Sequence, residues 1–133
     1  MLQPTPKMFL AAAVAIPLAA CTAEMDEAAR DDVPAATVVG EPVSCIQTNQ
    51  IQSTRVHGDR TIDFHMAGRT VYRNTLPNRC PQLGFEERFT YTTSTGQLCD
   101  LDVITVLYSD GQRGASCGLG KFVPVRLDGE GES

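Results

Sequence analysis

The sequence lacks the short motifs by which metal, redox and nucleotide sites are usually recognised. Its five cysteines include no Cys-X-X-Cys pair, which argues against a structural zinc site and a thioredoxin-like redox motif. Only two histidines are present. The glycine-rich segment 109–120 is not followed by Gly-Lys-Ser/Thr, so it does not match a phosphate-binding loop, and we expect a hairpin loop there. We therefore predict no bound metal ion and no cofactor.

The chain also has no apolar run of the roughly 20 residues that a helix needs to cross a bilayer. Its longest one, residues 8–20, follows Lys7 and is typical of the apolar region of a signal peptide. This run leads into Leu18-Ala19-Ala20-Cys21, which resembles the lipobox of bacterial lipoproteins. We therefore expect residues 1–20 to be a lipoprotein signal peptide and Cys21 to be the site of lipid attachment. Ordinary signal-peptide cleavage with an incidental Cys21 is the alternative.

The resemblance to the lipobox also implies a location. More than one acyl chain holds a protein stably on a membrane, whereas a single chain does so only marginally. The residue after Cys21 is Thr22 and not Asp, which in Gram-negative lipoproteins resembles the pattern for delivery to the outer membrane. We expect a protein that is lipid-anchored in the bacterial cell envelope, at the outer membrane, and that faces the periplasm.

Charge is distributed unevenly along the 133 residues, which are enough for one domain. The net charge is −5, but residues 22–44 contain six acids and one base, whereas residues 45–127 contain nine bases and seven acids. We interpret residues 21–44 as an acidic flexible linker, residues 45–127 as the folded domain and residues 128–133 as an acidic tail. An exported chain that is acidic overall is not expected to bind nucleic acid.

The four cysteines that follow Cys21 are expected to form two disulfides, as is usual in small exported domains. In an up-and-down arrangement of strands, the strand ends alternate between two poles of the domain. This parity favours the pairs Cys45–Cys99 and Cys80–Cys117. The runner-up pairing is Cys80–Cys99 with Cys45–Cys117.

Apolar and polar residues alternate with a period of two, and no segment shows three turns of helical periodicity. We expect two-residue hairpin turns at Gly58-Asp59 and Ala67-Gly68, and Pro124 suggests that the last strand lies at an edge or contains a bulge. The sequence predicts an all-β fold, an antiparallel meander of about six strands that forms a small barrel or sandwich. The expected strands are residues 51–56, 61–66, 70–74, 85–92, 102–108 and 122–127.

From Cys45 to Val125, the sequence is similar to a bacterial family of small exported proteins that share a domain of unknown function. The resemblance covers nearly the whole domain, and the four cysteines are its most specific part. It implies an envelope protein and no particular activity. The similar segments are residues 45–46, 53–56, 59–62, 72–74, 78–81, 83–85, 98–100, 102–106 and 117–120.

The histidines do not form a recognisable catalytic or metal site. If Gly58-Asp59 is the turn, His57 and His65 lie on opposite faces of the sheet and are too far apart to share a metal ion. Asp63 and His65 share a face, but no nucleophile is placed against the histidine. We therefore do not expect an enzyme.

Arg55 and Arg73 are the candidate anion-binding residues. In the expected register both neighbour Ile62 from adjacent strands, and like charges placed so close are unfavourable unless an anion lies between them. That anion is either an internal acid or an external phosphate, carboxylate or acidic glycan, which guanidinium groups hold bidentately. The internal acids considered are Glu86, Glu87 and Asp102.

Together, these features predict a non-catalytic envelope lipoprotein that serves as a binding or structural module at the membrane surface. Its expected partners are the membrane, through the lipid anchor, and an anionic envelope component or another envelope protein. A small hydrolase of envelope polymers is the alternative.

Overall fold

The computed structural model describes Gln3 and residues 33–129. The predicted signal peptide, the predicted lipid site at Cys21 and most of the acidic residues before the domain lie outside the described residues. Residues 130–133 of the expected tail do so as well. Within the described part of the chain, no helix is long and apolar enough to cross a membrane.

The described residues form ten strands, one short α-helix (α1, Leu83–Glu86) and two 3-10 turns, Thr48–Gln50 and Ala67–Arg69. The strands are β1 Ala36–Val38, β2 Cys45–Gln47, β3 Ile51–His57, β4 Thr61–Met66, β5 Val71–Thr75, β6 Phe89–Thr90, β7 Gln97–Cys99, β8 Val103–Leu107, β9 Arg113–Gly118 and β10 Phe122–Leu127.

These strands make three antiparallel sheets that pack as a small sandwich, one of the two expected arrangements. The largest sheet has the order β1-β10-β5-β4-β3, β2 pairs with β7, and the third sheet has the order β6-β8-β9. The all-β prediction is confirmed. The simple meander is not, because the last strand returns to pair with β5 in the middle of the chain.

Two segments differ from the predicted strands and loops. The fourth predicted strand, residues 85–92, is reduced to the two residues of β6, because the chain first makes the helical turn α1. The segment 109–120, expected to be a loop, contains β9, which pairs with β8 along most of its length. Its glycines do not prevent strand formation, because the backbone of β8 supplies the hydrogen-bonding partners.

The prediction of a flexible linker is wrong for the last part of that segment. β1 pairs with β10, and Val43 forms an antiparallel bridge with Phe122, so residues 36–43 belong to the folded sheet and not to a linker. The domain therefore begins near Ala36 and not near Cys45. This addition makes β10 an inner strand, so the expectation that Pro124 marks an edge strand is wrong.

One face of the large sheet supplies the main core, and a smaller apolar cluster of Val71, Val125 and Leu127 lies on the other face. Ile62, Phe64 and Met66 alternate along β4 and are buried against the two smaller sheets. Phe64 packs edge-to-face against Phe122 and Phe89, with ring centroids 5.4 and 6.2 Å apart, an arrangement that aromatic rings favour. Period-two alternation therefore predicts the core face of this strand correctly.

The two disulfides have the pairing that parity predicted. Cys45 bonds to Cys99 directly across the β2–β7 ladder. Cys80, which is fully buried, bonds to Cys117 on β9 and so links the loop after β5 to the third sheet.

A buried amide holds the start of β10 against β5. The Asn74 side chain donates to the Gly120 carbonyl at 2.7 Å and accepts from the Gly120 N–H at 2.8 Å. A side chain at Gly120 would place its Cβ only 2.3 Å from the Thr75 carbonyl oxygen, so glycine is required by the close backbone approach.

The loop that carries Cys80 is held by the β3–β4 turn. The Asp59 carboxylate accepts from the Gly84 N–H and from Arg79, both at 2.8 Å, and its carbonyl accepts from the Cys80 N–H. These bonds place Cys80 inside the core, where Cys117 can reach it.

Candidate functional site

The register of the first hairpin decides which polar side chains meet on the outer face of the large sheet. His57 is opposite Thr61, so the turn has three residues and not two. The next turn is also longer than expected, since His65 is opposite Val71. Each additional residue shifts the partner strand by one position and exchanges its two faces relative to β4.

As a result, the two candidate arginines flank Asp63 and not Ile62. Arg55 on β3 and Arg73 on β5 are both register partners of Asp63 on β4. We call these three residues the arginine row. The arginine row lies on the face opposite to the Phe64 core, because adjacent residues of a strand point to opposite faces.

Arg73 and Asp63 form a bidentate ion pair. The Arg73 Nε donates to Asp63 Oδ1 at 2.8 Å and its Nη2 donates to Oδ2 at 2.9 Å. The Asp63 side chain is completely buried and that of Arg73 is 15% exposed. Asp63 is thus the internal acid, and the expectation of Glu86, Glu87 or Asp102 in this role is wrong.

Those three acids lie elsewhere. Glu86 ends α1, Glu87 follows it with a positive φ, and Asp102 accepts a hydrogen bond from the Cys99 N–H.

Arg55 differs from Arg73, although both have Asp63 as a register partner. Its side chain is exposed on the edge strand β3. It forms no ion pair or hydrogen bond with any residue of 33–129. Both arginines therefore flank one buried carboxylate, but only Arg73 pairs with it, and the positive charge of Arg55 is left without an acidic partner among residues 33–129.

His57 also contacts Asp63 of the arginine row, whereas His65 does not. The His57 Nε2 lies 3.2 Å from Asp63 Oδ2, and the histidine side chain is 19% exposed. The corrected register also places both histidines on the face of the arginine row, so the expectation of opposite faces is wrong. They remain separated along the sheet, and among the described residues no three acid, histidine or cysteine side chains are placed to hold a metal ion.

Sequence reasoning identified both arginines but missed Asp63 as the partner of Arg73 and His57 as a second contact of Asp63. The alternation in β4 placed Asp63 correctly on the face opposite to Phe64. The lengths of the two turns were misjudged, and Gly58-Asp59-Arg60 offers no local signal that separates two turn residues from three.

Comparisons with protein-family models, with curated proteins and with solved structures find no match for this chain.

Proposed function

We propose that this protein is an exported lipoprotein whose disulfide-bonded β domain is held at the outer membrane by the lipid on Cys21. Its domain binds an anionic envelope group through Arg55 and catalyses no reaction. The lipobox-like tetrapeptide supports the anchor, and two disulfides are typical of an oxidising, exported environment. The resemblance to small exported four-cysteine proteins agrees with the same location.

The observation that carries the binding role is the unequal use of the two arginines. Arg73 neutralises the buried Asp63 with both branches of its guanidinium group. Arg55, the other register partner of Asp63, is exposed and has no acidic partner within residues 33–129. A guanidinium group in this position suits a phosphate or a carboxylate, which it can hold bidentately.

A small hydrolase is the second candidate, because His57 contacts Asp63, although it does so through Nε2 and not through Nδ1 as in the Ser-His-Asp triad. Two features favour the binding role over it. Asp63 has no exposed surface and already accepts both hydrogen bonds from Arg73. No serine, threonine or cysteine side chain of the described residues is hydrogen-bonded to His57, and nucleophilic catalysis needs such a group within reach.

Arg55→Ala is expected to weaken anion binding without affecting folding. Because the side chain is exposed, the free energy of unfolding should stay within about 0.5 kcal/mol of wild type. Retention of the purified protein on immobilised polyphosphate and on polygalacturonate measures binding and separates phosphate from carboxylate ligands. Wild-type retention should fall as salt rises, since at physiological ionic strength charges are screened beyond about 8 Å.

The matched control for this experiment is Arg113→Ala, which removes the same charge from an exposed position on β9. It should leave retention unchanged. Equal losses in both variants would show that only net charge matters, and no retention of the wild type on either polymer would reject the binding role.

Cys21→Ser is expected to prevent lipid attachment. Cells that express the variant should accumulate the unprocessed precursor and should not incorporate a labelled fatty acid into it. The double variant Cys45→Ser/Cys99→Ser, which also loses thiols but keeps Cys21, should still be labelled. Labelling of the Cys21→Ser protein would contradict the lipid anchor.

A further inference from the structure

The segment between the expected anchor and the first disulfide is attached to the domain differently from the rest of the large sheet. We call residues 36–44 the edge strap. It comprises β1, the turn around Gly40, and Val43, and it runs antiparallel along β10. Its side chains are exposed except for Ala36 and Val43, which are only half-buried. The edge strap therefore contributes little apolar burial to the core.

The hydrogen bonding of the edge strap is interrupted at Pro124. The Val39 N–H donates to the Pro124 carbonyl at 2.9 Å. In an antiparallel ladder, such a pair normally exchanges two bonds. Proline has no N–H, so the Val39 carbonyl lacks the reciprocal donor. β1 ends at Val38, one residue before this gap.

The ladder resumes only briefly after the gap. The chain passes the Pro124 ring at Gly40, where a Cβ would lie 2.9 Å from the proline Cγ. Val43 and Phe122 then exchange two backbone bonds of 2.8 and 2.9 Å. Two short stretches of backbone bonds, separated by a break and accompanied by mostly exposed side chains, are typical of a segment that opens locally.

The attachment becomes firm at the end of the edge strap, where the Ser44 carbonyl accepts from the Asp100 N–H at 2.8 Å. Cys45 is covalently bonded to Cys99, and the following Ile46 is 4% exposed in the main core, opposite the fully buried Leu98. If the edge strap separates from β10 starting at Ala36, the separation therefore ends at the Cys45–Cys99 disulfide.

We propose that the edge strap is a releasable extension of the tether, with the Cys45–Cys99 disulfide as its stop. While the edge strap is bound, residues 22–35 separate the anchor from the domain. When it is released, residues 22–44 do so, and the nine added residues lengthen the tether by at most about 30 Å. The role as a tether rests on the proposed lipid anchor at Cys21, whereas the local opening does not depend on it.

Amide hydrogen exchange of the unlipidated protein tests the opening independently of the anchor. The amides of Val39 and Val43 should exchange together and about 100-fold or more faster than those of Phe64 and Tyr72 in β4 and β5. The Ile46 amide should remain slow. Exchange of Val39 and Val43 at the rate of Phe64 would show that the edge strap opens only when the domain unfolds, and would reject the proposal.

Two variants test the gap and the stop. Pro124→Val restores a donor for the Val39 carbonyl and should slow exchange of Val39 by about two- to tenfold, the effect of one net hydrogen bond. Val123→Ile, a neighbouring change that leaves every N–H in place, should not slow it. In Cys45→Ala/Cys99→Ala, the Ile46 amide should exchange with the edge strap. An unchanged Val39 rate in Pro124→Val, or a slow Ile46 amide without the disulfide, would contradict the assigned roles of gap and stop.

Discussion

Arg73→Ala should destabilise the domain by about 3 kcal/mol, the low end of the range for removing one partner of a buried ion pair. The substitution leaves the Asp63 carboxylate completely buried without its bidentate partner. His57 remains 3.2 Å away, but it is a single contact and is charged only when protonated. The midpoint of urea denaturation, followed by circular dichroism, measures the loss.

Arg55→Ala is the matched control for this experiment, because it removes the same side chain from the other flank of Asp63. It should shift the midpoint by less than a fifth of the Arg73→Ala effect, since surface substitutions usually stay within about 0.5 kcal/mol. Adding Asp63→Asn to Arg73→Ala removes the unpaired charge and should restore part of the stability. Equal effects of the two arginine substitutions would show that the bidentate pair does not stabilise the fold.

Cys80→Ala/Cys117→Ala should destabilise the domain more than Cys45→Ala/Cys99→Ala does, although each bridge is expected to contribute about 2–5 kcal/mol. Chain entropy alone predicts the reverse by a few tenths of a kcal/mol, because Cys45–Cys99 closes the longer loop, 54 against 37 residues. Burial outweighs this difference. Cys80 has no exposed surface, so its truncation also leaves a cavity, whereas Cys45 and Cys99 are half-exposed.

Thermal or urea unfolding of the two double variants measures the order directly. Non-reduced peptide mapping of each variant should show the remaining bridge intact. A Cys45→Ala/Cys99→Ala protein that is less stable than the Cys80→Ala/Cys117→Ala protein would mean that loop entropy dominates over core packing here.

The arginine row shows that the sequence pattern predicts the faces of a strand but not its register with the neighbouring strands. Alternation in β4 separates the Phe64 face from the Asp63 face, because side chains of a strand point alternately to its two sides. It does not set the pairing with β3 and β5. That pairing depends on turn length, and a one-residue difference at each turn moved the arginines from Ile62 to Asp63.

The predicted pairing of the disulfides is confirmed, but the local structure around Cys45 and Cys99 was not predicted. Parity of strand ends predicted Cys45–Cys99, but the two cysteines meet because β2 and β7 pair, and neither of these three-residue strands was expected. Such short strands carry too few residues to show a period. Their pairing is stabilised by Ile46 and Leu98, which are buried in the core.

The sequence by itself determined the all-β class and the core face of β4, because these follow from local alternation, and it favoured the observed pairing of the four cysteines. Only the tertiary structure decided the register of the arginine row, the burial of Asp63 beside His57 and the attachment of the edge strap to β10. These features depend on contacts between segments distant in sequence. Such contacts form once turn lengths and core packing bring the segments together, and no local pattern of residues encodes them.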